Sequence, residues 1–383
     1  MRFIHLSDTH LGYQHLGLED RKRDFFDAFN YAVEYALQED VDFIIHTGDF
    51  FHSSRPSNET LLEGITLLKK LQDKKIPIYT ISGNHDRGSG TRDRSPLEIL
   101  KELGLKVVDN SFESFQDINI FGLRHIHTVN LRKVDLSSVL QELYEKADKR
   151  SFSILMLHLE FQPIFSSGIN FESSIPECFN YIGIGHYHQR QDPFKFKDSL
   201  VVYPGSTEYT QFNEKEYSEK GFYLINVESQ NDVEFKFIPI PTRKFLTYRF
   251  KDGDLEAVID SIGQIDFSDN KKPILILKGI TEKNLSKKDI INLIEERGFK
   301  DNFLHISINI EKVENAYEFT FIGNDSEKSR VEIEKILSED IDEENLKSKV
   351  LTVINAINSF ENIQELENYI KENPELFTVW EKL

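Results

Sequence analysis

From the first residues onward, short apolar runs alternate with amphipathic stretches. Phe3-Ile4-His5-Leu6, Phe43-Ile44-Ile45 and Ile78-Tyr79-Thr80-Ile81 read as buried strands, while Asp24 to Leu37 and Asn58 to Leu71 repeat apolar positions at helical spacing. The rhythm predicts β-α-β-α-β, with parallel strands joined by right-handed helical crossovers. The pattern then changes. Strand-like runs at Ile118 to Leu123, Phe152 to Leu157, Tyr181 to Ile184, Leu200 to Tyr203, Gly221 to Val227 and Val233 to Ile238 are separated by turns, with few helices between them. They predict a second, more antiparallel sheet packed on the first. The fold class is α/β: a two-sheet β-sandwich flanked by helices.

Pro239-Ile240-Pro241 suits an extended connector, and beyond it the pattern restarts. Phe245 to Phe250, Pro273 to Leu277 and Leu304 to Ile310 read as strands, and Leu255 to Ile262 and Lys287 to Arg297 as helices, which predicts a small α/β capping domain. From about Asn324 the chain reads as helices: Val331 to Leu337, then Leu346-Val350-Val353-Ile354-Ile357, then Leu366-Tyr369-Ile370. The last two are short and narrowly amphipathic, so they need something to dock on. The expected domains are therefore residues 1–240, a capping domain at 241–323 and a helical C-terminal tail at 324–383.

The 383 residues exceed one compact core of usual size, and 39% hydrophobic with 29% charged residues is the composition of a folded chain. The single cysteine, Cys178, excludes an internal disulfide and a thiolate zinc cluster and fits a reducing compartment. The N-terminus carries no signal-peptide stretch, and no run of about 18 apolar residues occurs, so a cytoplasmic location without membrane insertion is expected. The net charge of −19 opposes a polyanionic ligand until it is divided along the chain. Residues 1–245 carry 28 Lys+Arg against 36 Asp+Glu, residues 246–313 carry 11 against 12, and residues 314–383 carry 7 against 17. Over half of the net acidity sits in the tail. Phosphate binding depends on local clusters and bound cations, so the total excludes a generic basic DNA-coating protein but not a DNA substrate.

Five clusters put metal-competent or proton-transferring side chains at the C-terminal ends of expected strands: Ser7-Asp8-Thr9-His10, Thr47-Gly48-Asp49-Phe50-Phe51-His52, Ser82-Gly83-Asn84-His85-Asp86, Leu157-His158-Leu159 and Gly185-His186-Tyr187-His188. Ligand sites of open α/β sheets form at those ends. Any one cluster could be a capped turn, but all five at strand ends point to one shared site. Carboxylate, imidazole and carboxamide without thiolate suit two Mn²⁺ ions, with Fe²⁺ or Zn²⁺ as alternatives. Two ions bridged by one carboxylate, for which Asp49 is the natural choice, imply phosphoester hydrolysis. Gly48, Gly83 and Gly185 directly precede these residues, as tight turns require.

Asp8/His10, Asp49/His52, Asn84/His85, His158 and His186/His188 make the chain resemble the calcineurin-like metallophosphoesterases over residues 1 to about 240. Within that group, the runs Gly48 to Ser57, Gly83 to Arg87 and Tyr203-Pro204-Gly205-Ser206 resemble the double-strand-break repair nucleases of the meiotic-recombination-eleven type, called SbcD in bacteria. The resemblance implies that Asp8, His10, Asp49 and His188 bind one metal, and Asp49, Asn84, His158 and His186 the other. It implies a catalytic role for His85 at the phosphate and places His52 close to the substrate. An imidazole beside the metals can independently donate to a developing alkoxide near neutral pH. It further implies 3′-to-5′ exonuclease action on duplex ends and endonuclease action on single strands.

Three regions carry further expectations. Arg87 to Arg94 reads either as a solvated loop or as a basic loop gripping a DNA backbone, with Arg55, Arg87, Arg92 and Arg94 as candidate contacts. Leu61, Leu62, Ile65, Leu68, Leu97, Ile99, Leu100 and Leu103 read as core, whereas the resemblance implies a homodimer with Leu61 and Leu97 at its interface. The tail helices either fold back on this chain or, as the resemblance implies, dock on the coiled-coil base of an SbcC-type (Rad-fifty-type) ABC ATPase. Two rival functions stand beside a DNA nuclease: a small-molecule phosphodiesterase or phosphatase, and a non-catalytic scaffold bridging DNA ends.

Overall fold

A computed structural model describes residues 1–87, 94–212, 219–230, 232–251, 253–267, 271–281 and 285–312. Along the first part run β1 (Arg2–Leu6), α1 (Glu19–Gln38), β2 (Phe43–His46), α2 (Asn58–Asp73), β3 (Ile78–Thr80), α3 (Leu97–Lys101) and β4 (Lys106–Val107). Next come β5 (Ser111–Phe115), β6 (Ile118–Leu123), α4 (Thr128–Leu131), α5 (Leu136–Tyr144), β7 (Phe152–Leu157), β8 (Phe161–Gln162), β9 (Ile169–Asn170), α6 (Phe171–Ser174), β10 (Tyr181–Ile184), β11 (Phe194–Phe196) and β12 (Ser199–Val202). The long hairpin β13 (Gly221–Ser229) and β14 (Asp232–Pro239) precedes β15 (Phe245–Lys251), α7 (Leu255–Ile262), β16 (Ile274–Thr281), α8 (Lys287–Glu296) and β17 (His305–Lys312).

The strands form two six-stranded sheets, ordered β14-β13-β1-β2-β3-β4 and β11-β12-β10-β7-β6-β5, and a third of β15-β16-β17. In the first sheet β1 to β4 are parallel and the β13–β14 hairpin joins antiparallel at β1. In the second, β6, β7, β10 and β12 are parallel, with antiparallel edges. The second sheet is thus mainly parallel at its centre, and the expectation of a more antiparallel sheet holds only at its edges. The connections after β6 and β7 explain the difference, since they are longer than hairpins and carry α4 and α5, or β8, β9 and α6. The interior strands β2, β6, β7 and β10 are buried along their whole length, which is why they read as unbroken apolar runs.

Phe3, Phe43, Ile45, Tyr79, Ile120, Ile154, Met156 and Tyr181 fill the space between the two large sheets. Phe29, Val33, Phe50, Leu67, Leu71 and Leu97 pack α1, α2 and α3 on the outer face of the first sheet. Ser57 starts α2 by accepting the Thr60 N–H, which fixes the register that turns Leu67, Leu68 and Leu71 inward. The third sheet is all parallel with α7 and α8 on it, as the periodicity predicted.

A buried ionic clasp joins this third sheet to α1. Asp24 accepts from Arg243 Nε at 2.7 Å and Nη2 at 3.1 Å, from Arg21 Nη1 at 2.7 Å, and faces Lys271 Nζ at 2.9 Å. Arg21 also reaches Glu208 Oε1 at 3.2 Å and the Tyr209 carbonyl at 2.7 Å, and Lys271 reaches Asp27 at 2.9 Å. Burial opposes ionisation of Asp24, but Arg243, Arg21 and Lys271 outweigh it and hold its carboxyl below the ordinary range. The tail at 324–383 and Arg92 lie outside the described residues.

Candidate metal centre

The C-terminal ends of β1, β2 and β3 in one large sheet and of β6, β7 and β10 in the other supply the loops of one site. At these ends the backbone leaves the strand abruptly: Asp8, His10, Asp49 and His186 have φ of 51°, 42°, 55° and 79°. Non-glycine residues seldom hold this left-handed conformation, and four at one place mark a functional site. Close packing of the loops accounts for two glycines. A Cβ on Gly83 would sit 2.1 Å from Asp49 Oδ1, and one on Gly185 2.1 Å from the Thr47 carbonyl.

Two donor groups meet at Asp49. Ligand atoms of Asp8, His10, Asp49 and His188 all lie within 4.8 Å of one another, with His10 Nε2 facing His188 Nε2 at 3.0 Å and Asp49 Oδ2 at 3.9 Å. Beside them, Asn84 Oδ1 lies 3.1 Å from His158 Nε2 and 3.0 Å from His186 Nδ1, and His158 Nε2 lies 3.3 Å from Asp49 Oδ2. Several of these donor atoms stand about 3 Å apart, the spacing of neighbouring ligands on an ion with bonds of roughly 2.1 Å. The donor set therefore fits two divalent cations sharing Asp49. Asp8, His10, Asp49 and His158 are fully buried, and among the described residues no lysine or arginine pairs with either carboxylate.

Hydrogen bonds orient the rings. His158 Nδ1 donates to the Thr47 carbonyl at 2.8 Å, which leaves Nε2 as a lone-pair donor, and His188 Nδ1 meets Thr210 Oγ1 at 2.8 Å. His186 Nε2 stands 3.5 Å from Glu160, which accepts from Thr128 Oγ1 at 2.6 Å. His85 Nδ1 donates to the His52 carbonyl at 2.8 Å, and its backbone N–H donates to Asp49 Oδ1 at 2.8 Å. The His52 ring is sandwiched between Tyr13, at 3.8 Å between centroids, and His85, at 5.0 Å. Ring nitrogens of His10, His52 and His85 come within 4.8 Å of one another, so His52 and His85 border the first donor group.

Electrostatics follow from burial. Burial opposes ionisation of Asp49, but the His158 imidazole above all holds its carboxyl well below the ordinary range. For His158 burial pulls down while Asp49 and Asp8 pull up, to about 9. Burial lowers His10 well below the ordinary histidine value, His186 to about 3 and His52 to about 4. Burial thus keeps His10, His186 and His52 neutral and able to donate lone pairs.

All seven residues expected as metal ligands, with His85 and His52, thus converge. The remaining expected residues do not. Arg55 is exposed ahead of α2, Arg87 donates to the His125 carbonyl at 3.2 Å, and Arg94 is exposed near Glu98 at 3.8 Å. Leu97 is 1% exposed and packs inside this chain's own core, with Leu61 half-buried against the same cluster. The same helices turn Leu62, 63% exposed, and Ile99, 49% exposed, outward.

Three residues escaped the sequence reading. Asp86 accepts from the backbone N–H groups of Phe50, Phe51 and Gly83 at 3.1, 2.9 and 3.1 Å, which locks the Asp49 loop to the Asn84 loop. Its signal was present as the last residue of Gly-Asn-His-Asp. Glu160 follows His158 by two residues with no signal of its own. His125, buried between His158 and His186, lies in His125-Ile126-His127 directly after β6, the same strand-end pattern as the other clusters.

Fold and site together define a calcineurin-like metallophosphoesterase, and the family described as calcineurin-like phosphoesterase matches residues 1–190. The chain is 32% identical over 302 residues to the DNA double-strand break repair protein Mre11 of Saccharolobus solfataricus, covering 76% of this chain and 77% of the relative. It is 30% identical over 332 residues to the Mre11 protein of Methanocaldococcus jannaschii, covering 82% and 88%. The chain belongs to the Mre11 family of DNA double-strand break repair proteins. Among the described residues no helix is long and apolar enough to cross a membrane.

Proposed function

We propose that this chain is a two-metal DNA nuclease, cutting duplex ends in the 3′-to-5′ direction and single strands internally. Asp8, His10, Asp49 and His188 would hold one ion, and Asp49, Asn84, His158 and His186 the other. The observation that carries this reading is the buried pair of donor groups sharing Asp49, whose carboxylates pair with no lysine or arginine among the described residues, in a chain of the Mre11 family. Mn²⁺ suits the mixed oxygen and nitrogen donors, and Fe²⁺ or Zn²⁺ would also fit. When bound, such ions supply Lewis-acid polarisation of a phosphoryl oxygen and activation of water.

The chain's own residues do the rest. His85, with Nδ1 committed to the His52 carbonyl, keeps Nε2 for the substrate, and protonated there it donates to the departing alkoxide. His52, stacked between Tyr13 and His85, fixes that ring. Glu160 orients His186 as a carboxylate behind a metal-ligating imidazole. Arg55, Arg87, Arg92 and Arg94 contact the DNA backbone. Residues 1–240 form the nuclease domain, 241–323 the capping domain, and 324–383 the segment that docks on a coiled-coil ABC ATPase. A homodimer forms across α2 and α3, with the half-buried Leu61 and the exposed Leu62 and Ile99 facing the partner and Leu97 in the core beneath, and the enzyme works in the cytoplasm at the nucleoid.

The test is incubation of the purified chain with Mn²⁺ and end-labelled duplex DNA and, separately, with a small chromogenic phosphodiester. Degradation of the DNA from its 3′ ends is expected. Cleavage of the small diester alone makes the protein a small-molecule phosphodiesterase, and cleavage of neither makes it a scaffold.

A further inference from the structure

The ligand assignment leaves unused the buried histidine that stands beside His158 and His186. His125, at the end of β6, is 4% exposed and pinned by its backbone: its N–H donates to the Ser82 carbonyl at 2.8 Å, and its own carbonyl accepts from Arg87. Its Nδ1 lies 3.0 Å from the His158 carbonyl oxygen, which can only accept, so Nδ1 carries the proton and Nε2 a lone pair. That Nε2 is buried and has no hydrogen-bond partner among the described residues. His158 repeats the arrangement, with Nδ1 given to the Thr47 carbonyl and Nε2 turned to Asn84 and Asp49. One nitrogen from each of His125, His158 and His186 lies within 4.8 Å of the other two.

A ring fixed by a carbonyl at one nitrogen, with the other dehydrated beside two ligand imidazoles, meets the requirements of a metal-ligating histidine. A purely structural role would leave that buried acceptor unsatisfied with nothing in return. We infer that His125 is a further ligand, through Nε2, of the ion held by Asn84, His158 and His186. The inference rests on the reading that this side of Asp49 holds an ion. A third imidazole makes that side richer in nitrogen than the side of Asp8, so it favours borderline transition ions over Mg²⁺ more strongly than its neighbour does.

The full chain is titrated with Mn²⁺, with free ion read by electron paramagnetic resonance, and in parallel with Co²⁺, read by its visible absorption. His125→Asn keeps an N–H where Nδ1 stands and removes Nε2. One of the two ions should weaken by about tenfold or more, while the other keeps its wild-type affinity and the cobalt absorption changes. Wild-type affinity for both ions with an unchanged cobalt spectrum overturns the inference, and so does equal weakening of both, which makes His125 a support for the loops. Fewer than two ions on the wild type removes the parent reading and this one with it; a full pair on the wild type with an unaltered variant removes this one alone. Should His125→Asn lack the wild-type circular dichroism, His125→Gln is read by the same titration with the same outcomes.

Discussion

The clasp around Asp24 and the cluster around Asp49 both bury carboxylates, yet among the described residues only the first is paired with lysine and arginine. Asp24 is ringed by Arg21, Arg243 and Lys271, with Glu208 and Asp27 balancing the remaining charge. Asp8 and Asp49 face imidazoles, the Ser7 hydroxyl and the backbone N–H groups of His186 and His85, with no lysine or arginine paired to them among the described residues. Removing a carboxylate from water is costly without a partner charge, so the first arrangement is complete as folded and the second is complete only with ions. The backbone differs in the same way: Asp8, His10, Asp49 and His186 hold left-handed conformations around Asp49, where the chain turns sharply out of its strands, while Asp24 sits in a regular helix.

If that contrast is right, substitutions in the two clusters act on different quantities. The largest effect is expected from Asp49→Asn, which weakens the ligand that both ions share under the proposed function. Nuclease activity should fall by about 10³-fold or more, a barrier change of several kcal/mol, with the metal content read by elemental analysis falling below that of the wild type. Asp24→Asn should leave metal content alone and cost about 3–5 kcal/mol of stability in urea unfolding, because three cations then surround a neutral amide. An unchanged stability would show that the clasp is not a paired-charge device.

Metal addition sharpens the contrast further. At a free concentration of about 100 times the dissociation constant, each ion should stabilise the folded chain by about 2.7 kcal/mol, visible as a rise in melting temperature that a chelator reverses. Asp24→Asn should keep that rise and Asp49→Asn should lose most of it. The smallest effect is in acid. The Asp24 carboxyl is held below its ordinary value of 3.8, so its contribution is complete above that pH and is lost as pH falls through the lower folded value. The stability gap between the wild type and Asp24→Asn should therefore narrow only below about pH 4; a gap that closes already near neutrality would contradict it.

The two clusters also differ in how far they were legible. Each part of the Asp49 cluster is a short local motif at a strand end, where glycine, carboxylate and imidazole stand within a few positions. The seven expected ligands could therefore be found without any long-range information. His125 was passed over because its His-x-His follows Arg124 rather than a glycine. The clasp left no local trace. Arg21 and Asp24 sit in Glu19-Asp20-Arg21-Lys22-Arg23-Asp24, which reads as a solvated helix start, and their partners Glu208 and Arg243 lie 187 and 219 positions away. The sheets were legible from buried runs, but the parallel centre of the second sheet was not, since strand direction is set by connections whose short helices carry weak periodicity.

Under the proposed function, ions at the Asp49 cluster and a proton donor beside them break a DNA phosphodiester. That function is tested most directly by measuring bound Mn²⁺ and cleavage of end-labelled duplex DNA on the same preparation of His85→Ala. Two ions per chain are expected, as on the wild type, with cleavage slowed by about 10²- to 10⁴-fold. Cleavage at the wild-type rate with both ions bound would contradict it.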